Sequence, residues 1–250
     1  NYRRILNWFS FFFNVILVSL FVKPKPDIIY ASSPHLLTGL AGRLLSIIHG
    51  ARFVFEVRDL WPQTLVDLGG YSRKNIFIRL LYRLEKHLYK KADAIIVLLP
   101  SAAEYISSLG VSRDKITWRP NGVALEKFGS SAASAGTTGK FKVMYAGAHG
   151  LANGLDALVE AAAIIRDRKR DDVVFELLGD GPQKKRLMER AAGLGLKNVI
   201  FSDPVPRNEI PDTLAKADAF FFSLKGADVF KYGISSNKLL DYMASGKPVV

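Results

Sequence analysis

The sequence predicts an α/β protein made of two doubly wound, parallel-sheet domains. Three observations predict it. From Pro26 onward, short runs of β-branched and aromatic residues alternate with longer segments of helical period, the pattern of a parallel sheet with helices packed on it. The phrase Lys91-Ala92-Asp93-Ala94 returns as Lys216-Ala217-Asp218-Ala219, each time joining a helix end to an apolar strand. Between the two runs, Gly129 to Gly139 (GSSAASAGTTG) has the low-bulk composition of a flexible linker. The expected organisation is a domain over 1–129, a linker over 130–139 and a second domain over 140–250.

The elements follow in order. Ile5 to Val22 is the most apolar stretch, bounded by Arg3-Arg4 and by Lys23-Pro24-Lys25-Pro26. It falls short of the roughly 20 clean apolar residues of a membrane span. Arg3, Asn7, Ser10 and Asn14 draw a narrow polar stripe down it, so it reads as a domain-packing helix, or as one lying in a membrane interface beside its basic flanks. No small-residue cleavage site precedes Lys23, which argues against a signal peptide. Then come strand Asp27 to Ala31, helix Pro34 to His49 closed by Gly50, strand Arg52 to Val57, helix Arg73 to Lys91 and strand Ala94 to Leu99. Helix Ser101 to Leu109, strand Ile116 to Trp118 and a Pro120-Asn121-Gly122 turn complete the first half. The second half reads strand Phe141 to Ala146, helix Gly154 to Arg168, strand Val173 to Leu178, helix Pro182 to Leu194, strand Asn198 to Phe201, helix Asn208 to Ala217 and strand Ala219 to Phe222. Last comes a helix from Ser235 or Ser236 to Gly246, with a buried strand opening at Val249-Val250.

The 250 residues carry a net charge of +12 and no Cys. Disulfides, thiolate metal sites and a cysteine nucleophile are excluded, and four scattered histidines make a histidine metal cluster improbable. Asn1 to Gly129 holds 18 Lys and Arg against 9 Asp and Glu, whereas Ser130 to Val250 holds 17 against 14. The basic first half calls for an anionic partner: a phosphate compound or an acidic membrane surface. Nucleic acid is disfavoured, because no motif interleaves basic with aromatic residues. A chain that starts without Met and stops inside an apolar strand is expected to be part of a longer protein.

In doubly wound sheets, ligands bind beyond the carboxyl ends of the strands, which directs attention to the loops after strands. Gly147-Ala148-His149-Gly150, after the first strand of the second half, could bring backbone close to a phosphate or serve only as a turn. Gly179-Asp180-Gly181-Pro182 reads as a structural turn. In Asp203-Pro204-Val205-Pro206, the prolines hold Val205 extended with its backbone free to meet a flat base edge. On the last helix, Lys238 and Asp241 share a face, either as a solvated ion pair or as cation and carboxylate for a diphosphate and a ribose. Ser235, Ser236 and Asn237 crowd its N-terminus, where an anion is favoured. In the first half, Glu56-Val57-Arg58-Asp59-Leu60-Trp61 ends a strand, so Arg58 and Asp59 are either a loop-bracing ion pair or cleft residues.

PDIIYASSP, FVFEVRDLWPQTLVDLG, RPNGV, YAGAHGLANGLDALVEAA, LLGDGP, DPVPRNEIP and YGISSNKLLDYMASGKPVV, taken in this order and spacing over residues 26–250, resemble the retaining glycosyltransferases of family 4. The likeness is to the group that builds bacterial O-antigens, capsules and exopolysaccharides, including aminosugar transferases. The resemblance implies the two-domain GT-B fold, here truncated at both ends. It implies transfer of a sugar from a nucleoside diphosphate donor, UDP-linked and without metal or other cofactor, to a glycan or lipid-linked acceptor at the inner face of the cell membrane. Donor-binding roles carry over to Gly147, Gly150, Val205, Ser235, Asn237, Lys238 and Asp241, and catalytic roles to Arg58, Asp59 and Lys238. Asp241 matches the second Glu of the family's E-x7-E pair, and Val205 the residue whose backbone meets the base. The departures are specific: the first Glu falls on Gly233, the phosphate loop's Arg and Lys on Ala148 and Asn153, and the first domain's His on Arg58. Lys238 is the candidate for the missing charge. Two other readings stay open, a nucleotide-sugar epimerase of the same fold and a non-catalytic, membrane-bound subunit of a polysaccharide assembly complex.

Overall fold

The computed structural model describes residues 2–33, 35–128 and 139–250, so the expected linker lies outside the described residues except for Gly139. The chain divides into two compact units, Asn1–Asn121 with Ala227–Ser235, and Gly122–Gly226 with Ser236–Val250.

The first unit contains α1 (Tyr2–Ser19), β1 (Ile28–Ser33), α2 (Leu36–His49), β2 (Arg52–Val57), α3 (Gln63–Asp67), α4 (Ile76–Lys91), β3 (Ala94–Val97), α5 (Ala102–Ser108) and β4 (Ile116–Trp118). Its sheet is parallel in the order β1-β2-β3-β4. Strands that follow chain order with right-handed crossovers place their connecting helices on one face, and α2 does pack on α4. The core is Phe53, Phe55, Val57, Ile95 and Val97 of the central strands against Leu88 and Tyr89 of α4. Burying each such side chain contributes about 1.5–3 kcal/mol. Helix α2 stops because Gly50 takes the left-handed conformation, φ 68°, and its N–H returns to the last turn. Helix α4 starts at Asn75, whose side chain accepts from the Phe77 N–H at 2.8 Å.

The second unit contains β5 (Phe141–Ala146), α6 (Asp156–Asp167), β6 (Val173–Leu178), α7 (Lys184–Gly193), β7 (Val199–Ser202), α8 (Ile210–Leu214), β8 (Ala219–Phe220) and α9 (Asn237–Ala244). Its parallel order is β7-β6-β5-β8. The chain reverses its direction of winding between β5 and β8, so the doubly wound topology is explicit here. Val249 pairs with Phe220 in a single parallel bridge. The helix expected over Asn208 to Ala217 is instead a 3-10 turn followed by the short α8, with Pro211 in its first turn.

The repeated Lys-Ala-Asp-Ala phrase does the same work in both units. Asp93 Oδ2 accepts from the Phe53 N–H at 2.7 Å while the Asp93 N–H donates to the Phe53 carbonyl at 2.9 Å. Asp218 makes the equivalent pair with Lys142, at 2.7 and 2.9 Å. Each aspartate locks the start of one strand to its neighbour.

The domain boundary differs from the expected 129/130. Val123 and Phe128 pack into the second unit's core with Met144, Leu214 and Tyr242, which moves the division to Asn121/Gly122. The second unit is also interrupted. Residues 227–235 belong to the first unit: Val229 is buried in its core, Ser101 donates its N–H to the Tyr232 carbonyl at 3.0 Å, and Gly233 lies against Pro100. Helix α1 packs on α2, with the Trp8 ring 4.7 Å from His35 and 5.8 Å from Trp61. Among the described residues, no helix is long and apolar enough to cross a membrane.

Glu85 of α4 is fully buried and accepts from the hydroxyls of Tyr89 at 3.1 Å and Tyr105 at 2.9 Å. Burial pushes its carboxyl up to about 8, although the two hydroxyls pull the other way. The unfolded chain releases this proton near the ordinary value of 4.5. The folded state therefore holds more protons between about 4.5 and 8, and stability falls with rising pH across that window. We expect Glu85→Gln to flatten this dependence, read as the difference in Tm between pH 5.5 and pH 8. An unchanged difference would remove Glu85 as its source.

Candidate nucleotide-binding site

A cavity of about 390 Å³ opens beyond the carboxyl ends of β5, β6 and β7 in the second unit. Gly147 and Ala148 after β5, Gly179 and Asp180 after β6, Pro204 and Val205 after β7, and Lys238, Asp241 and Tyr242 of α9 line it. It sits at the reversal between β5 and β8, where such folds open a crevice.

Helix α9 is fixed by Tyr242. Its buried hydroxyl accepts from the Ala146 N–H at 2.7 Å and donates to the Ala146 carbonyl at 3.0 Å, and its ring stacks on Phe220 with centroids 4.3 Å apart. One turn earlier on the same face, Lys238 Nζ donates to the Tyr145 hydroxyl at 2.8 Å and to Asn153 Oδ1 at 2.7 Å. Desolvation brings this ammonium down to about 8. Lys238 and Asp241 share a face but do not pair among the described residues. Burial raises the Asp241 carboxyl, against the pull of Arg207, a cation that sequence reasoning did not single out.

The glycine loops are built differently from a simple phosphate cradle. The Gly147 N–H donates to the Leu178 carbonyl at 2.9 Å and the His149 N–H to the Asp180 carbonyl at 2.8 Å, which leaves the amides of Ala148 and Gly150 without a hydrogen-bond partner among the described residues. Gly150 does not line the cavity. His149 is fully buried beside Tyr145 and Phe201. Val205 does line the cavity, and no hydrogen bond engages its backbone among the described residues. Lys184 also projects to these strand ends, yet it is spent on the Gly179 carbonyl at 3.0 Å and Asp203 Oδ1 at 2.8 Å.

Two residues expected to bind the donor at the helix start lie outside the cavity lining. Ser235 belongs to the first unit, where its Oγ accepts from the Asn121 N–H at 3.0 Å and its carbonyl accepts from Asn121 Nδ2 at 2.7 Å. Asn237 is exposed at the first position of α9 and does not line the cavity.

In the first unit, Arg58 follows β2 and makes no ion pair with Glu56 or Asp59 among the described residues. Its backbone N–H donates to Ser33 Oγ at 3.3 Å. It lines a cavity of about 590 Å³ with Asn7, Trp8, Ser32 and His35. Asp59 lies outside that lining; desolvation raises its carboxyl and Arg58 opposes the shift. His35 is buried and its imidazole is shifted down by burial.

Gly179 shows how tightly the loops interlock. At φ 134°, an added Cβ would lie 2.1 Å from the Gly147 carbonyl oxygen, whereas at Gly246, φ 69°, it would meet nothing within 4 Å. Gly246→Ala should cost about 1–2 kcal/mol, the left-handed penalty alone. Gly179→Ala should cost clearly more, because backbone must move. Urea denaturation of the two variants checks the order; equal losses would mean that the two loops are not held together.

Residues 2–122 match the family described as "Glycosyl transferase 4-like domain", and residues 140–250 the one described as "Glycosyl transferases group 1". The chain is 27% identical over 207 residues to the putative colanic acid biosynthesis glycosyl transferase WcaI of Escherichia coli (strain K12), covering 78% of this chain and 50% of that protein. It is 24% identical over 254 residues to the probable glycosyltransferase WbjE of Pseudomonas aeruginosa, covering 96% and 60%. The chain thus spans half to three fifths of the length of these relatives. Among solved structures, Anabaena Alr3699/HepE in complex with UDP-glucose superposes with a TM-score of 0.70 at 19% identity, over 95% of this chain and 62% of that one. The apo lipopolysaccharide outer core galactosyltransferase WaaB gives 0.56 at 16%, over 98% and 61%. Each half matches a glycosyl transferase family model and carries a parallel α/β sheet, and the fold is that of the GT-B glycosyltransferases.

Proposed function

We propose that this chain is the donor-binding and acceptor-side body of a retaining glycosyltransferase. The donor is a nucleoside diphosphate sugar, UDP-linked, with N-acetylated aminosugars among the sugars the resemblance allows; the acceptor is a glycan or lipid-linked saccharide at the inner face of the membrane. The aminosugar and the retention rest on the sequence resemblance alone. What supports the donor assignment is one arrangement: a single cavity at the β5/β8 reversal lined by Val205, Gly147, Lys238 and Asp241. Their chemistry runs in the order of a nucleoside diphosphate. The open backbone of Val205 suits a base edge, Asp241 a pair of ribose hydroxyls, and Lys238 a diphosphate.

In the reaction, the acceptor hydroxyl oxygen bonds to the sugar's anomeric carbon as the bond from that carbon to the diphosphate breaks and its electron pair leaves with the phosphate. Negative charge grows on the leaving group, and a fixed cation aimed at it is the largest single aid to such a step. Lys238 is in that role. The hydroxyl proton passes to the departing phosphate oxygen, and Arg58 and Asp59 of the first unit are assigned to the acceptor. The reading calls on no metal or other cofactor.

Calorimetry with UDP tests the donor half. Asp241→Ala should weaken binding by about 1.5–3 kcal/mol, the scale for a hydrogen bond to a charged group. Unchanged affinity in a folded variant would withdraw Asp241 from the ribose. Because the Lys238 ammonium titrates at about 8 and a diphosphate favours its charged form, affinity should decline as pH rises through that value, and Lys238→Arg should remove the decline. In the complete enzyme, Lys238→Ala should lower kcat by roughly 100- to 1,000-fold, whereas Arg58→Ala should lose transfer and keep UDP affinity. Near-normal turnover in Lys238→Ala would leave the diphosphate to backbone amides.

A further inference from the structure

His149 is the single titratable side chain between Gly147 and Gly154, and the donor reading gives it no task. Its backbone is pinned on both sides: the N–H donates to the Asp180 carbonyl at 2.8 Å, and the carbonyl accepts from the Gln183 N–H at 3.0 Å. The preceding Ala148 carbonyl is held by the Tyr145 hydroxyl at 2.7 Å and by Asn153 Nδ2 at 2.8 Å. Gly181 closes in from the next loop at φ 154°, where an added Cβ would lie 2.7 Å from the His149 carbonyl oxygen. What remains free to move at 149 is the side chain.

That side chain is placed at a cost. The ring is fully buried, its centroid 5.9 Å from that of Tyr145 and 6.5 Å from that of Phe201. Neither Nδ1 nor Nε2 has a hydrogen-bond partner among the described residues. Buried polar atoms without partners are rare in folded proteins, and here two occur on one ring. An apolar ring would fill a slot between two aromatic side chains without that cost.

The surrounding charges show which partner is lacking. The groups that face the ring are the Tyr145 hydroxyl of β5, Lys184 of α7, Lys238 of α9 and Asp180 after β6, with the Phe201 ring of β7 beside them. Burial first, then the two lysines, hold the imidazole below its ordinary range, against the pull of Asp180. Asp180 Oδ1 is engaged by the Gly181 N–H at 2.7 Å, and Lys184 by Asp203. A ring with unpaired nitrogens in an electropositive setting is matched by an anion. The cavity that would receive one is lined by Gly147 and Ala148 before His149, and by Gly179 and Asp180 across from it.

We propose that His149 is a second, titratable ligand of the donor's diphosphate: parked and neutral in the free protein, its ring turns about the side-chain bonds when the diphosphate arrives, takes one proton from solvent and donates a ring N–H to a phosphate oxygen. The inference deepens the donor reading and rests on it. It supplies charge beside Lys238 in a loop whose expected cations fall on Ala148 and Asn153, and it does so only while the donor is bound.

Nitrogen-15 NMR of the imidazoles tests it in the unaltered chain, which has four histidines; His149 is identified by its ring contacts with Tyr145 and Phe201. Its pKa should rise by about one unit or more on saturation with UDP, and likewise with inorganic pyrophosphate. A one-unit rise corresponds to about a tenfold gain in affinity on acidification. Between pH 7.5 and pH 5.5, UDP affinity should therefore strengthen about tenfold more in the parent than in His149→Gln; the comparison cancels the titration of UDP and of Lys238. An imidazole that stays neutral and unmoved at saturating UDP overturns the inference, as does the same pH dependence in His149→Gln. A ring N–H protected from exchange alike with and without UDP also overturns it and assigns the ring to a buried water. Should His149→Gln fail to fold, the spectra of the parent decide. If neither UDP nor pyrophosphate binds, the donor reading falls and this inference with it, whereas binding with a silent His149 removes this inference alone.

Discussion

The two hydrogen bonds between the Tyr242 hydroxyl and the backbone of Ala146 are the constraint on which the cavity depends. Ala146 is the last residue of β5, so these bonds fix the rotation and height of α9 against the strand end. A buried hydroxyl left without partners would cost about 1–3 kcal/mol, and the stacking on Phe220 removes the freedom to seek others. Once α9 is fixed, Lys238 one turn back and Asp241 next door have little choice of direction. Chemistry-bearing side chains on a helix locked at both ring and hydroxyl are held more closely than the same residues on a loop.

The contrast between two lysines at the same strand ends explains which one carries usable charge. Lys184 faces Asp203 and two carbonyls, so its field is largely cancelled before any ligand arrives. Among the described residues, Lys238 faces only neutral oxygens, those of Tyr145 and Asn153. Partial burial without a carboxylate brings its pKa down to about 8, a measure of how much it would gain from an anion. With Asp in place of Asn153, the same geometry would be a closed ion pair. The neutral amide at 153 positions the ammonium and leaves its charge uncompensated. Since the amides of Gly147 and His149 are already engaged, a diphosphate in this cavity would depend on that one charge more than on a ring of N–H groups.

The alternation of strands and helices is legible in the sequence because buried parallel strands and amphipathic helices leave different periods. The cavity's membership is legible too at Gly147, Val205, Lys238 and Asp241, because a doubly wound sheet brings together whatever follows its strands. What the chain does not disclose is where a backbone amide is already committed. Nothing local in Gly147-Ala148-His149 announces that alternate amides are taken by Leu178 and Asp180, since those partners come from the end of β6 and the loop after it. The reassignment of residues 227–235 is hidden for the same reason: Tyr232, Gly233 and Ser235 find their places through Ser101, Pro100 and Asn121, more than a hundred residues away. Asn121 in turn reads as a turn residue when it is also a clamp.

That reassigned segment bears on the missing carboxylate. Gly233 stands where the family pattern has its first Glu, and at φ 94° an added Cβ would lie 2.4 Å from Cγ of Pro100. The adjoining Tyr232 carbonyl is held by the Ser101 N–H, and Ser235, two residues on, is tied to Asn121. A larger residue at 233 would have to break this anchorage before it could place a side chain anywhere. The absence of the carboxylate therefore goes with how the segment is fastened, and a side chain at 233 would come with backbone strain and a shift of Pro100. In a transferase built this way, Lys238 and Asp241 on α9 would hold the donor by its diphosphate and ribose, and contact with the sugar itself would have to come from other groups.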